Sequence, residues 1–223
     1  MSTPSPTPSR TDRQIEIAVW CVLGFTVAAI AWAYASRKQG GRSAQVADKL
    51  PVISQVQDFR LTNQLNQAVG LSTLAGKVWV ANVIFTRCPG PCVGMTRTMT
   101  KIREEAALGD QVRWVSLSAD PEFDTPSVFA TYARKWGAES SDRWFLTGTK
   151  AVIRRLAVED LKMVVVEKDA VQRTSEEDLF LHSTRFILVD RRGWVRGVYE
   201  GTEKAARDLL LRDLRLLVSS PDL

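Results

Sequence analysis

Beyond its N-terminal quarter, the chain alternates short apolar blocks with stretches that are apolar every third or fourth residue. The block Val78–Phe85 is almost wholly apolar and predicts a strand buried on both faces. From Cys92 the apolar positions Cys92, Met95, Met99, Ile102 and Ala106 step by three and four, as one face of a helix does. Val112–Leu117 predicts the next strand. Asp124-Thr125-Pro126 supplies a cap and a first-turn proline for a helix reaching about Trp136. Further on, the pattern predicts strands at Asp58–Leu61, Arg143–Leu146, Met163–Val166, Arg185–Val189 and Trp194–Tyr199. It also predicts a helix capped by Thr149 and ending near Val158, and a closing Leu- and Arg-rich helix from Glu203 to Val218. Alternation of this kind implies an α/β sandwich around a mixed sheet.

The N-terminal quarter is patterned differently. Residues 1–14 are rich in Ser, Thr and Pro and predict disorder. Residues 17–35 carry no charge; as a helix they span about 28 Å, close to a bilayer core. Trp20, Trp32 and Tyr34 lie toward the ends of that run, where interfacial aromatics belong. A transmembrane anchor over 15–36 is therefore expected. The competing reading is a signal peptide, for which Ala33-Tyr34-Ala35 offers a small-residue cleavage site, but the apolar run is long for one. Residues 37–50 read as a tether and 51–220 as the folded domain.

Charge and cysteine content narrow the function. Of the net +5, residues 1–50 contribute six basic against three acidic side chains, so the domain itself is nearly balanced. No basic block with interleaved aromatics occurs, which argues against nucleic acid as a partner. Three cysteines are too few for a disulfide framework. Cys21 sits in the apolar run and reads as a small hydrophobe. Cys88-Pro89-Gly90-Pro91-Cys92 lies between the buried strand and the next helix, so its two thiols share one face at a helix N-terminus. The helix dipole there favours thiolate, which predicts easily deprotonated sulfurs fit for redox exchange or metal binding. His182, the sole histidine, lies between a polar loop and the strand that follows.

Several segments, in order, resemble one family. Phe85–Cys92 is similar to the strand-plus-CxxxC signature of the Sco/SenC proteins. Asp120-Pro121-Glu122-Phe123-Asp124-Thr125-Pro126 resembles their DPxxDTP segment, and Trp144–Gly148 their W-x-L-T-G element. His182-Ser183, followed by Leu188-Val189-Asp190 and Gly193, resembles their metal-ligand histidine region, and Phe59–Gln64 their first strand. Val93 stands where the family usually has proline, and the glycine usual after the glutamine of the first strand is absent; neither change removes a ligand.

The resemblance implies a thioredoxin-like fold and copper, as Cu(I) or Cu(II), held by Cys88, Cys92 and His182. Two thiolates and an imidazole form a soft three-coordinate set suited to Cu(I), whereas structural zinc wants a fourth ligand. Met95 and Met99, at helical spacing, read as core; Asp120 reads either as a residue that orients a ligand or meets a partner, or simply as a loop acid before a helix. The same two cysteines can form a redox-active disulfide, which would no longer bind copper. The implied function is a metallochaperone taking copper from an upstream donor to the dinuclear copper site of a cytochrome c oxidase subunit. It would be a single-pass inner-membrane protein with its domain in the periplasm. The alternative is a thiol–disulfide oxidoreductase acting on the oxidase's own copper-site cysteines. The CxxxC spacing, and the absence of proline between Pro126 and Pro221, argue against a general reductase, and the Pro-x-x-x-Thr-x-x-Cys pattern of peroxiredoxins is missing.

Overall fold

In a computed structural model the chain divides after Lys49 into two units. Described are residues 20, 23–29, 50–88, 90–167, 180–182 and 184–220, with the side chains of 166–167 and 180–182 excepted. In the first unit residues 23–29 are helical. Among the described residues no helix is long and apolar enough to cross a membrane. Most of the expected anchor, the disordered segment, nearly all of the tether and Cys21 lie outside the described residues.

The second unit is built on one eight-stranded mixed sheet. Its strands are β1 (Ser54–Gln55), β2 (Arg60–Asn63), β3 (Ala68–Gly70), β4 (Val78–Ile84), β5 (Val112–Ser118), β6 (Arg143–Thr147), β9 (Arg185–Val189) and β10 (Trp194–Glu200). Two more, β7 (Val165–Glu167) and β8 (Phe180–His182), form a separate antiparallel pair. The spatial order is β1-β10-β9-β4-β5-β6-β2-β3. At its centre β4, β5 and β6 run parallel, and every residue of β4 is buried. Parallel neighbours need crossovers, which α2 (Pro91–Ala106) and α3 (Pro126–Lys135) supply after the short α1 (Leu71–Leu74).

On the chain's later half, α4 (Lys150–Arg154) continues into a π-helical turn, Arg155–Asp160, and α5 (Lys204–Ser219) closes the fold. Leu210, Leu211, Leu214 and Leu217 form the buried stripe of α5. Arg191 donates from Nη1 and Nη2 to the carbonyls of Leu217 and Val218, at 2.6 and 2.9 Å, satisfying orphan acceptors at that helix end.

Two expectations shift. Met163 is not in a strand: its N–H reaches the Ala157 carbonyl at 2.9 Å, closing the turn after the π-helix, so β7 begins two residues later. The apolar run reflects burial of Leu161 and Met163 under that turn. His182, expected at the border between a polar loop and the strand that follows, ends a strand of its own: its backbone closes β8, opposite Val165.

Two cations are buried among the described residues: Arg196 pairs with Asp190 at 2.9 Å, whereas Arg143 has no carboxylate partner there. Arg143 is 1 % exposed. Its Nη2 donates to Ser116 Oγ at 2.9 Å, Ser116 donates to Asn82 Oδ1, and the guanidinium lies 4.5 Å from the Phe145 ring centroid. Nε and Nη1 have no partner among the described residues, and burial lowers the pKa to about 9. Burial of a charge this poorly compensated is costly. Replacing it by an apolar side chain of similar length, Arg143→Met, should leave stability unchanged or raise it by about 1–4 kcal/mol. Urea denaturation of the two proteins measures this, and a clear loss would show that the cation holds the core together.

Candidate functional site

Strand β4 runs out at Ile84, and the chain turns through residues 85–87 before α2 begins. The turn is held by the Cys88 N–H on the Phe85 carbonyl at 3.2 Å. Gly90 caps α2, Pro91 starts it, and Cys92 follows in its first turn. Both cysteines are thiols. Cys88 Sγ accepts the Cys92 N–H at 3.4 Å, and Cys92 Sγ accepts the Phe85 N–H at 3.4 Å. The sequence spacing thus brings the two sulfurs together.

Their acidity differs from expectation. Burial drives the Cys92 pKa far up, and contact with Cys88 adds to that; the Phe85 N–H opposes it only in part. The dipole argument fails for Cys92 because it ignores desolvation. Cys92 is fully buried, whereas Cys88 is 8 % exposed and lines a cleft of about 900 Å³.

Two aspartates fix the turn from the next crossover. Asp124 is fully buried: Oδ1 accepts the N–H (3.2 Å) and hydroxyl of Thr86, and Oδ2 accepts the Ser118 hydroxyl at 2.6 Å. Burial raises its pKa despite these donors. Thr125, not Asp124, caps α3, accepting the Val128 N–H. Asp120 accepts Arg87 Nε at 3.1 Å and Nη2, which clamps the residue just before Cys88, and the Arg87 guanidinium lies 4.3 Å from the Phe123 ring centroid. Sequence reasoning singled out Asp120 but gave Asp124 no role beyond the Asp124-Thr125-Pro126 helix start and the DPxxDTP resemblance. The signal available was the pairing of both acids in one segment beside Ser118.

Met95 and Met99 are buried core residues. A side chain at Gly201 would begin 2.8 Å from the Met95 sulfur and 2.7 Å from the Thr184 carbonyl oxygen, so only glycine lets these segments approach. Thr184 therefore lies beside the first turns of α2. β9 pairs antiparallel with β4, so the chain enters β9 at the end of the sheet where β4 leaves for the cysteines. The backbone of His182 is two residues from Thr184; its side chain lies outside the described residues. Among the described residues no cluster of three or more metal-binding side chains occurs.

A mixed sheet whose central parallel strand delivers a cysteine pair to the start of a helix defines a thioredoxin-like α/β thiol protein. The SCO1/SenC family model matches residues 48–218, and the chain belongs to this family. It is 34% identical over 170 residues to the SCO1 protein homolog of Bacillus subtilis (strain 168), covering 75% of this chain and 84% of that protein. It is also similar to the structure of BsSco, described as a member of the Sco family of cytochrome c oxidase assembly proteins with a disulfide switch. There the identity is 29%, the coverage 77% of this chain and 99% of that one, and the TM-score 0.66. Bradyrhizobium japonicum ScoI with copper bound shares the fold at 20% identity and TM-score 0.57, covering 74% of this chain and 99% of that one.

Brief iodoacetamide treatment of the reduced protein at neutral pH should label Cys88 well before Cys92, as read by peptide mass spectrometry; equal labelling would contradict the burial difference. Asp124→Leu leaves Thr86 and Ser118 donors unsatisfied and should cost about 1–3 kcal/mol. Asp124→Asn keeps acceptors for Thr86 and should cost less. Because the folded-state pKa of Asp124 is raised, the wild type should lose stability as pH rises from the unfolded-state value through the folded one. The Asn variant, which cannot ionise, should lack that decline in denaturation curves taken across the acid range.

Proposed function

We propose that this protein binds one copper ion through Cys88, Cys92 and His182 and delivers it to the dinuclear copper site of cytochrome c oxidase during assembly. The carrying observation is the pair of sulfurs juxtaposed at the start of α2, with Cys88 facing an open cleft. Two thiolates and a neutral imidazole would suit Cu(I) as cargo, and copper would displace the thiol protons on binding. Family membership supports the reading, as does the copper-bound structure of a relative. The loop clamped by Asp120 and Asp124 would keep the cysteine turn in register while the ion exchanges onto a partner's ligands. The apolar run 17–35 supports a membrane anchor with the domain on the periplasmic side of an inner membrane.

A second reading rests on the same two thiols. Loss of two electrons and two protons joins Cys88 and Cys92 in a disulfide, so the pair could reduce a disulfide on the oxidase subunit instead of carrying its metal. The disulfide switch of BsSco favours keeping this alternative.

An anaerobic Cu(I) titration of the reduced full-length chain against a competing chelator tests the first reading. One tightly held ion per chain is expected, with Cys88→Ser and His182→Ala each weakening it at least tenfold and the oxidised protein failing to compete. Binding indifferent to His182, or no binding at all, would move the function to thiol–disulfide exchange.

A further inference from the structure

The cleft beside Cys88 runs between the first two turns of α2 and the length of α3. From Ser127 to Trp136 the α3 wall is about 14 Å long, room for about four residues of extended chain. Its charge has one sign. Arg97 and Lys135 are exposed on its two walls, both close to Trp136: the Arg97 guanidinium is 4.9 Å and Lys135 Nζ 5.1 Å from the ring centroid. Among the described residues neither forms an ion pair, and no carboxylate lines the cleft. Neither α2 nor α3 has an acidic residue in its first turn, so no carboxylate from those turns offsets the positive charge.

Gly94 adds an independent observation. It lies inside α2, exposed on the cleft wall, with a backbone that needs no positive φ and nothing within 4 Å of where a Cβ would stand. Glycine there costs helix stability, and neither local conformation nor packing requires it. What its smallness does is keep the wall open one turn from Cys88.

We propose that this cleft is the docking groove for a short, extended, acidic segment of the protein that meets the cysteine pair. The reading rests on the function proposed above for what passes between the two proteins, but the docking itself does not require metal. Carboxylates of the segment would pair with Arg97 and Lys135, an apolar side chain would lie on Trp136, and its backbone would pass over Gly94 toward Cys88.

The probe is a fluorescein-labelled peptide, Glu-Asp-Ser-Leu-Asp-Glu, mixed with the metal-free, reduced full-length chain and followed by fluorescence anisotropy. Saturable binding is expected, weakening steeply as salt rises to about 0.5 M. The double variant Arg97→Glu/Lys135→Glu and the single variant Gly94→Leu should each weaken it at least tenfold. Gly94→Leu should raise the thermal midpoint, since leucine favours helix, and this separates a blocked groove from a damaged fold. Cu(I) affinity should be unchanged in all variants. No peptide binding, or binding indifferent to both variants, overturns the proposal. So does binding of phosphatidylglycerol vesicles, with the same sensitivity to charge reversal, by a protein that ignores the peptide. If wild-type protein binds the peptide with the expected sensitivities but fails to bind Cu(I), the groove stands and the copper reading falls.

Discussion

Parallel pairing of β4, β5 and β6 is the constraint from which the site follows. Parallel strands cannot be joined by a tight turn, so the chain must return each time through a crossover helix. Both helices, α2 and α3, therefore begin at the same end of the sheet, where β4 and β5 finish. Their first turns and the segments leading into them gather Cys88, Cys92, Asp120 and Asp124 within reach of one another. Antiparallel β9 packs on the other side of β4 and brings its own start to that end. The chemistry is thus placed by topology first and by side chains second.

Within that frame, buried polar groups fix the details. Asp124 binds the end of β5 to the turn after β4 through Ser118 and Thr86, and Asp120 adds the outer clamp on Arg87. These contacts join two loops that share no strand pairing of their own, so the position of Cys88 is determined by its neighbours' hydrogen bonds as much as by the helix behind it. Deep in the same sheet, Asn82, Ser116 and Arg143 form a polar row across the three parallel strands. That row joins the three strands by side-chain hydrogen bonds inside the sheet.

Much of this was legible in the residues. Seven consecutive buried positions in β4, the three-and-four spacing of α2 and the proline at the head of α3 are local signals, and each element forms where its pattern lies. Ser54–Gln55 and Ala68–Gly70 carry no such pattern, because strands of two and three residues are defined by their partners, β10 and β2. The cysteine pair was visible from spacing alone. The suppressed acidity of Cys92 was not, since it arises from burial by segments distant in sequence. The part played by Asp124 was hidden for the same reason: only the fold turns its carboxylate inward, onto Ser118 and Thr86.

The close approach at Gly201 has a consequence for ageing of the protein. The Met95 thioether fills the space a side chain would take there, beside the Thr184 carbonyl, and is 2 % exposed. Conversion to the sulfoxide adds a polar oxygen to a contact that has no room for one. The new atom would crowd the contact between α2 and the backbone around Thr184 and Gly201. Oxidation of one thioether would thus disturb the packing behind the first turns of α2 while leaving both cysteines chemically intact.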